Sequence, residues 1–335
     1  MKAFRCRVCD NALYFDNSRC VSCGTALGFS RAERAMVPVD DEGRYVDAGG
    51  TAWHTCSLRR AVRCNWLSAE PGTPCGACAL TRTRPADDDA EGLAQLPTAE
   101  AAKRRLVHEL DVLGFPVVGR DEDPDTGLCF DMLSSVEENV VIGHASGVIT
   151  IDLAETDDAR RERVRVELGE PYRTMLGHLR HEVGHYVEFK LVTGDALLTR
   201  CRELFGDDTR DYQAEIDRHY SEGPPDDWQR RYITTYATMH PFEDFAETFA
   251  HYLHISDTVD TAVEQGLLTV NPSVFGSFRD LVVGVWVPLS IALNEINKSM
   301  GKDDLYPFVI PDPVLDKLDF VAALAESGAG SDADV

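Results

Sequence analysis

The residues of this chain best placed to do chemistry are His181-Glu182-Val183-Gly184-His185, in the run GHLRHEVGHYVEF. On a helix at ~100° per residue, His185 falls ~40° from His181 and one turn on, so both imidazoles point the same way. Leu176, Leu179, Val183 and Val187 fall on the opposite side, which turns that face to a core. Neutral imidazoles at i and i+4 are a matched pair of zinc ligands. Glu182 reaches a metal-bound water without binding the metal and can take that water's proton.

Two imidazoles leave zinc one ligand short of a catalytic set of three. The candidates lie in YITTYATMHPFEDFAETFAHYLH, residues 232–254. A helix is expected over about 242–255, behind Pro241. On it Glu243 and Glu247 share a face, and Phe245, Phe249 and Tyr252 lie opposite. Carboxylates on so apolar a helix need a partner, and a metal is a suitable one. Spacing leaves the ligand open. Glu243 is preferred, with Glu247 orienting a histidine from behind, but the reverse assignment stands. Asp244, ~100° round from Glu243, points elsewhere. His240, His251 and His254 read as polar neighbours or core histidines.

The ten cysteines give a second kind of site, and eight of them precede residue 80. In a reducing compartment such clustering argues for metal rather than disulfides. Cys6-x2-Cys9 followed by Cys20-x2-Cys23 has the spacing of a zinc ribbon. So short a segment has almost no core, so the metal supplies its folding free energy. Cys56, Cys64, Cys75 and Cys78 form a looser second set, with His54 as a substitute ligand. Cys129 and Cys201 stand alone and read as small buried residues.

The elements that must hold these groups are legible in outline. Residues 1–83 form the cysteine region, strand-rich over 30–55. RPADDDAEGLAQLP, residues 84–97, reads as a linker. A helix is expected over 98–113, capped by Thr98 and stopped by Gly114. VVIGHASGVITIDL, residues 140–153, reads as two strands about a glycine turn. The strand over 147–153 is either a core strand or a sheet edge that pairs with an extended substrate, and His144 at the turn is a surface residue or a substrate contact. Pro171 should open the histidine helix, which runs to about Val192 before Gly194. More helix is expected over 274–299, and 324–335 reads as a disordered tail. The fold class is α+β: a four-cysteine region followed by a mainly helical domain, 98–323, with a small β-sheet.

Composition narrows the function classes. The 335 residues carry a formal charge of −24. Such a surface repels nucleic acid, although Arg59, Arg60, Arg63, Arg82 and Arg84 gather near the second cysteine set. LVVGVWVPLSIAL, residues 281–293, is too short to span a membrane and reads as a buried core helix, kinked or broken near Pro288. MKAFRCRVCD has no secretory h-region, so a cytoplasmic location is expected.

The pairing of HExxH with a later E-x-x-x-E resembles the gluzincin zinc peptidases. EDFAETF is similar to the third-ligand helix of anthrax lethal factor and the Pro-Pro endopeptidases. That resemblance implies that Glu243 binds zinc and that Tyr236, seven residues earlier, stabilises the oxyanion. More broadly, the chain resembles a bacterial family of zinc-binding metallopeptidases over roughly 1–323. The resemblance rests on the ribbon, CNWLSAEPGTPCGAC, the HExxH helix, TMHPFEDFAETFAHYLHI and NKSMGKDDLYPF. It implies a zincin-like domain, a peptide or protein substrate, one catalytic zinc and one or two structural ones. The competing reading is a non-proteolytic zinc-binding interaction module with a vestigial HExxH site. Neither reading needs nucleic acid or membrane. The intact chain should therefore pass through a heparin column unretained at physiological salt, and retention there would put a nucleic-acid role back in play.

Overall fold

Short strands and tight cysteine turns make up the N-terminal part of the chain. The computed structural model describes residues 2–135, 140, 142–168 and 172–329. It separates into two compact units, 1–109 with 117–160 and 264–267, and 110–116 with 161–263 and 268–335. The fold is α+β, with small sheets in the first unit and helices dominating the second.

In the first unit β1 (Phe4–Arg5) pairs with β2 (Ala12–Leu13), and β3 (Leu27–Ser30) with β4 (Ala35–Pro38). β5 (Arg44–Val46), β6 (Ala52–Thr55) and β7 (Leu67–Ser68) form a three-stranded antiparallel sheet. Residues 30–55 are thus strand-rich, as expected. Phe15, Phe29 and Trp66 form the small core, with Phe29 4.9 Å from each of the other two rings. Asn65 Nδ2 donates to the Phe15 carbonyl at 2.6 Å, tying the second cysteine segment to the first.

α1 (Gly76–Ala79) and β8 (Thr81–Thr83) follow, then α2 (Ala90–Leu113). α2 begins eight residues before Thr98, so 90–97 is helix rather than linker. The acidic run caps it: Asp89 Oδ1 accepts from Gly92 N at 2.8 Å. Pro97 is inside the helix, and Leu96 and Ala99 beside it are buried, so packing overrides the breaker. Gly114 ends the helix at φ +84°, as read.

β9 (Cys129–Leu133), β10 (Gly143–Ala145) and β11 (Val148–Asp152) complete a four-stranded sheet in the order β10-β11-β9-β8. β11 lies between β10 and β9, so it is an interior strand and not a sheet edge. The chain folds back over it through Ser146 and Gly147, at φ +47° and +84°. His144 Nε2 accepts from Gly147 N at 3.0 Å and closes that turn.

In the second unit α3 (Asp158–Leu168) precedes α4 (Met175–Leu191), the helix of the two histidines. Pro171 lies outside the described residues. The cap is Thr174, whose Oγ1 accepts from Gly177 N at 2.9 Å. α5 (Asp195–Phe205) and α6 (Tyr212–Glu222) follow, and α7 (Pro241–Glu264) carries the glutamates. α8 (Phe278–Leu281), a π turn over Val282–Trp286 and α9 (Val287–Ser299) run on as one helical stretch, and α10 (Asp312–Ala329) closes the unit. Residues 324–329, expected in a disordered tail, are helical; 330–335 lie outside the described residues.

Pro288 is the second residue of α9 and comes directly after the π turn, so the proline coincides with a break in the regular α-helical hydrogen bonding of a stretch that otherwise continues. The run 281–293 is only half buried. Val282, Val285, Trp286 and Leu289 face inward, whereas Val283 and Ile291 are 57% and 58% exposed. The helical period carries an unbroken apolar run around both faces, so it cannot all be core. No described helix is long and apolar enough to cross a membrane.

α4 and α7 meet at backbone distance. A Cβ on Gly184 would lie 2.9 Å from Ala246 Cα and 3.2 Å from both Ala246 O and Phe249 Cβ. Leu179, Val183 and Val187 of α4 and Phe245 and Phe249 of α7 are fully buried, as their helical spacing requires. Gly184→Ala should gain ~1 kcal/mol of helix propensity yet lose net stability by about 1–3 kcal/mol, because backbone must move apart. Urea denaturation of the full chain reads this directly. A variant as stable as wild type would mean that the helices do not touch there.

Candidate metal centres

Each CxxC turn of the first group ends on a left-handed residue, Asp10 at φ +58° and Gly24 at φ +74°. Asp10 N donates to Cys6 O and Gly24 N to Cys20 O, which folds two knuckles with their thiols together. Cys6 and Cys23 Sγ lie 3.7 Å apart, and Cys9 and Cys20 Sγ 3.6 Å. A tetrahedron of Zn–S bonds near 2.3 Å has edges of ~3.8 Å, so the four sulfurs fit one zinc ion. Cys56, Cys64, Cys75 and Cys78 form a second such group, with Cys64 and Cys75 Sγ 3.7 Å apart. Backbone amides of Trp66 and Cys75 point at Cys64 and Cys56 sulfur, as donors to thiolates do. His54 sits in β6 opposite Arg44 and Ser68 and is not in this group. Cys129 and Cys201 are buried outside both groups.

The third group joins α4 to α7. Glu243 Oε2 lies 3.0 Å from His181 Nε2 and 3.5 Å from His185 Nε2. The three ligand atoms lie within 4.8 Å of one another. Glu247, one turn on, does something different: its Oε1 accepts from His181 Nδ1 at 2.7 Å. With Nδ1 donating to that carboxylate, Nε2 is left with the lone pair a metal takes. Burial lowers the pKa of His181, but Glu243 and Glu247 outweigh it and hold the imidazole well above its usual range. Without metal the ring keeps a proton, so metal uptake releases one and weakens as pH falls.

Glu182 is buried, which raises its pKa. Its hydrogen bond with His178 and the charge of His181 outweigh that and keep it below the usual carboxylate value. His178 Nε2 lies 3.1 Å from Glu182 Oε1. The Tyr236 ring lies 5.7 Å from the His181 ring. Burial, then the charge of Glu243, pushes both the Tyr236 and the Tyr212 phenol well above the usual tyrosine value. Tyr212 OH donates to Glu243 Oε1 at 2.5 Å.

The remaining histidines and acids have other partners. Asp244 faces away and pairs with buried Lys317 at 2.6 Å. His240 Nδ1 accepts from Phe242 N, at the start of α7. His251 Nδ1 meets Tyr306 OH at 2.7 Å, and His254 Nδ1 accepts from Arg180 Nη1 at 2.6 Å. Two neighbours of the centre escape a reading of spacing alone. His178 stands one turn before Glu182, an interval the sequence does display. Tyr212 stands in a stripe with Ile216 and Tyr220 on α6, an ordinary helical spacing that does not by itself point to a metal centre.

Residues 93–324 match the family described as "Putative zinc-binding metallo-peptidase", and residues 3–89 match a zinc-ribbon domain. Uncharacterized proteins of Mycobacterium tuberculosis and Mycobacterium bovis are each 48% identical over 337 residues, covering 98% of this chain and 96% of the relative. No solved structure matches.

Elemental analysis of the purified chain should find about three zinc ions, one for each group of ligands. Glu243→Ala should lose one of them. Glu247→Ala should keep it but bind it ~10–100-fold more weakly. A wild type holding only two ions, unchanged by Glu243→Ala, would remove the third centre.

Proposed function

The chain belongs to the zinc-binding metallopeptidase family, and from that premise we propose that it is a zinc-dependent peptidase of gluzincin type acting on a peptide or protein substrate. One observation carries the reading. Glu243 Oε2 approaches Nε2 of both histidines while Glu247 occupies the far nitrogen of His181. His181, His185 and Glu243 would hold a catalytic Zn²⁺, which when bound lowers the pKa of a water and polarises the scissile carbonyl.

The chain's own groups supply the rest. Glu182, ionised despite its burial, takes the proton of the attacking water and passes it to the leaving amine. Tyr236 donates a hydrogen bond to the developing oxyanion. Its raised pKa keeps the phenolic proton in place throughout the neutral range. Tyr212 holds the second oxygen of Glu243, leaving a single oxygen for the metal. The two cysteine groups are structural zinc sites, since four thiolates close a tetrahedron and leave no position for substrate. The cysteine usage supports a reducing, cytoplasmic location.

The test uses the zinc-loaded full chain and a pooled library of synthetic decapeptides, with products read by mass spectrometry. Wild type should cut. Glu182→Gln should keep its zinc and cut ~10²–10⁴-fold more slowly. Equal rates would sink the mechanism. No cutting by a wild type that holds all three ions would favour a zinc-binding interaction module instead.

A further inference from the structure

Glu182 has two carboxylate oxygens, and the structure treats them differently. Oε1 is held by His178 Nε2 at 3.1 Å, whereas buried Oε2 has no hydrogen-bond partner among the described residues. A buried acceptor without a protein partner is uncommon, and at a candidate active site it marks where a ligand or water is received.

The pair does not behave like an ordinary surface i, i+4 contact on a helix. The two side chains are 16% and 7% exposed, so solvent screens their interaction little. The backbone beneath His178 is also fixed. His178 N donates to Thr174 O at 2.9 Å, and the Thr174 side chain caps Gly177 next door. His178 belongs to none of the three metal-ligand groups.

We propose that His178 is a positioning residue for Glu182, clamping one carboxylate oxygen so that the other is presented to the water whose proton it takes. The inference rests on the peptidase reading above. A glutamate swings about three side-chain torsions, and a base that must meet a water within hydrogen-bond reach gains rate when those torsions are fixed in advance. His178 supplies that restraint from its own helix, one turn back, without touching the reacting atoms.

The experiment compares His178→Leu and His178→Gln with wild type in the full, zinc-loaded chain. Gln places an amide donor close to the position of imidazole Nε2, whereas Leu removes the donor. Zinc content should be unchanged in both. With a peptide found in the decapeptide screen, His178→Leu should lower kcat ~10–100-fold with KM within about twofold of wild type, and His178→Gln should recover most of the loss. In a Glu182→Gln background, His178→Leu should add no further loss, since there is then no base left to position. Crystal structures give a readout independent of turnover: the Glu182 carboxylate should rotate or split in His178→Leu and keep its place in His178→Gln.

A His178→Leu variant as fast as wild type, or one whose Glu182 carboxylate stays in its original orientation, would overturn the proposal while leaving the peptidase standing. Loss of zinc from both variants would also overturn it, by showing that His178 serves the fold or the metal site. A wild type that cuts nothing would instead bring down the peptidase reading, and the crystal structures would still decide whether His178 sets the carboxylate.

Discussion

Everything at the third centre depends on how closely two helices approach. The histidines are on α4 and the glutamates on α7, and no short loop ties one to the other. What brings them within ligand distance is contact of backbone against backbone at Gly184 and Ala246. Glycine in a helix interior is a net cost of ~1 kcal/mol. Here that cost removes the Cβ that would hold the helices apart. The histidine motif thus contains both its chemistry and its spacer: His181, Glu182 and His185 face the site, and Gly184 faces the neighbour.

With the helices that close, buried Glu182, Glu243 and Asp244 and half-buried Glu247 each need a partner. Glu243 meets both histidines and the Tyr212 hydroxyl. Glu247 takes the other side of His181, Asp244 pairs with Lys317 and Glu182 leans on His178. Lys317 also donates to the Arg231 carbonyl, which anchors α10 to the same region. Such a set tolerates little loss, because removing one partner leaves a buried charge uncompensated.

The motifs and the helices bearing them were legible in the sequence because their signals are local. Two thiols three residues apart make a knuckle, and two imidazoles at i and i+4 share a face. Glu243 and Glu247 share a face for the same reason, and so their spacing could not separate them. Only the approach of α7 to α4 tells which imidazole nitrogen each one meets. Other features escaped because tertiary packing overrides local preference. Pro97 is helical because Leu96 and Ala99 beside it are buried. The acidic run before it reads as linker by composition but serves as a helix cap. β11 is interior because a two-residue turn brings β10 over it. On α6 the stripe of Tyr212, Ile216 and Tyr220 reads as an ordinary helix face, and no residue of that helix is buried, so nothing local ties Tyr212 to Glu243.

The two cysteine groups share one chemistry but not one exposure. All four cysteines of the second group are buried, whereas Cys9 and Cys23 of the first are exposed. Oxidants and competing chelators reach a surface thiolate by simple collision, but reach an interior one only when the surrounding fold opens. Attack on the first group can therefore begin at Cys9 or Cys23 without unfolding, whereas attack on the second must wait for the fold to open. Two sets of four sulfurs thus differ in how an outside reagent reaches them, although fewer than eighty residues of chain hold both.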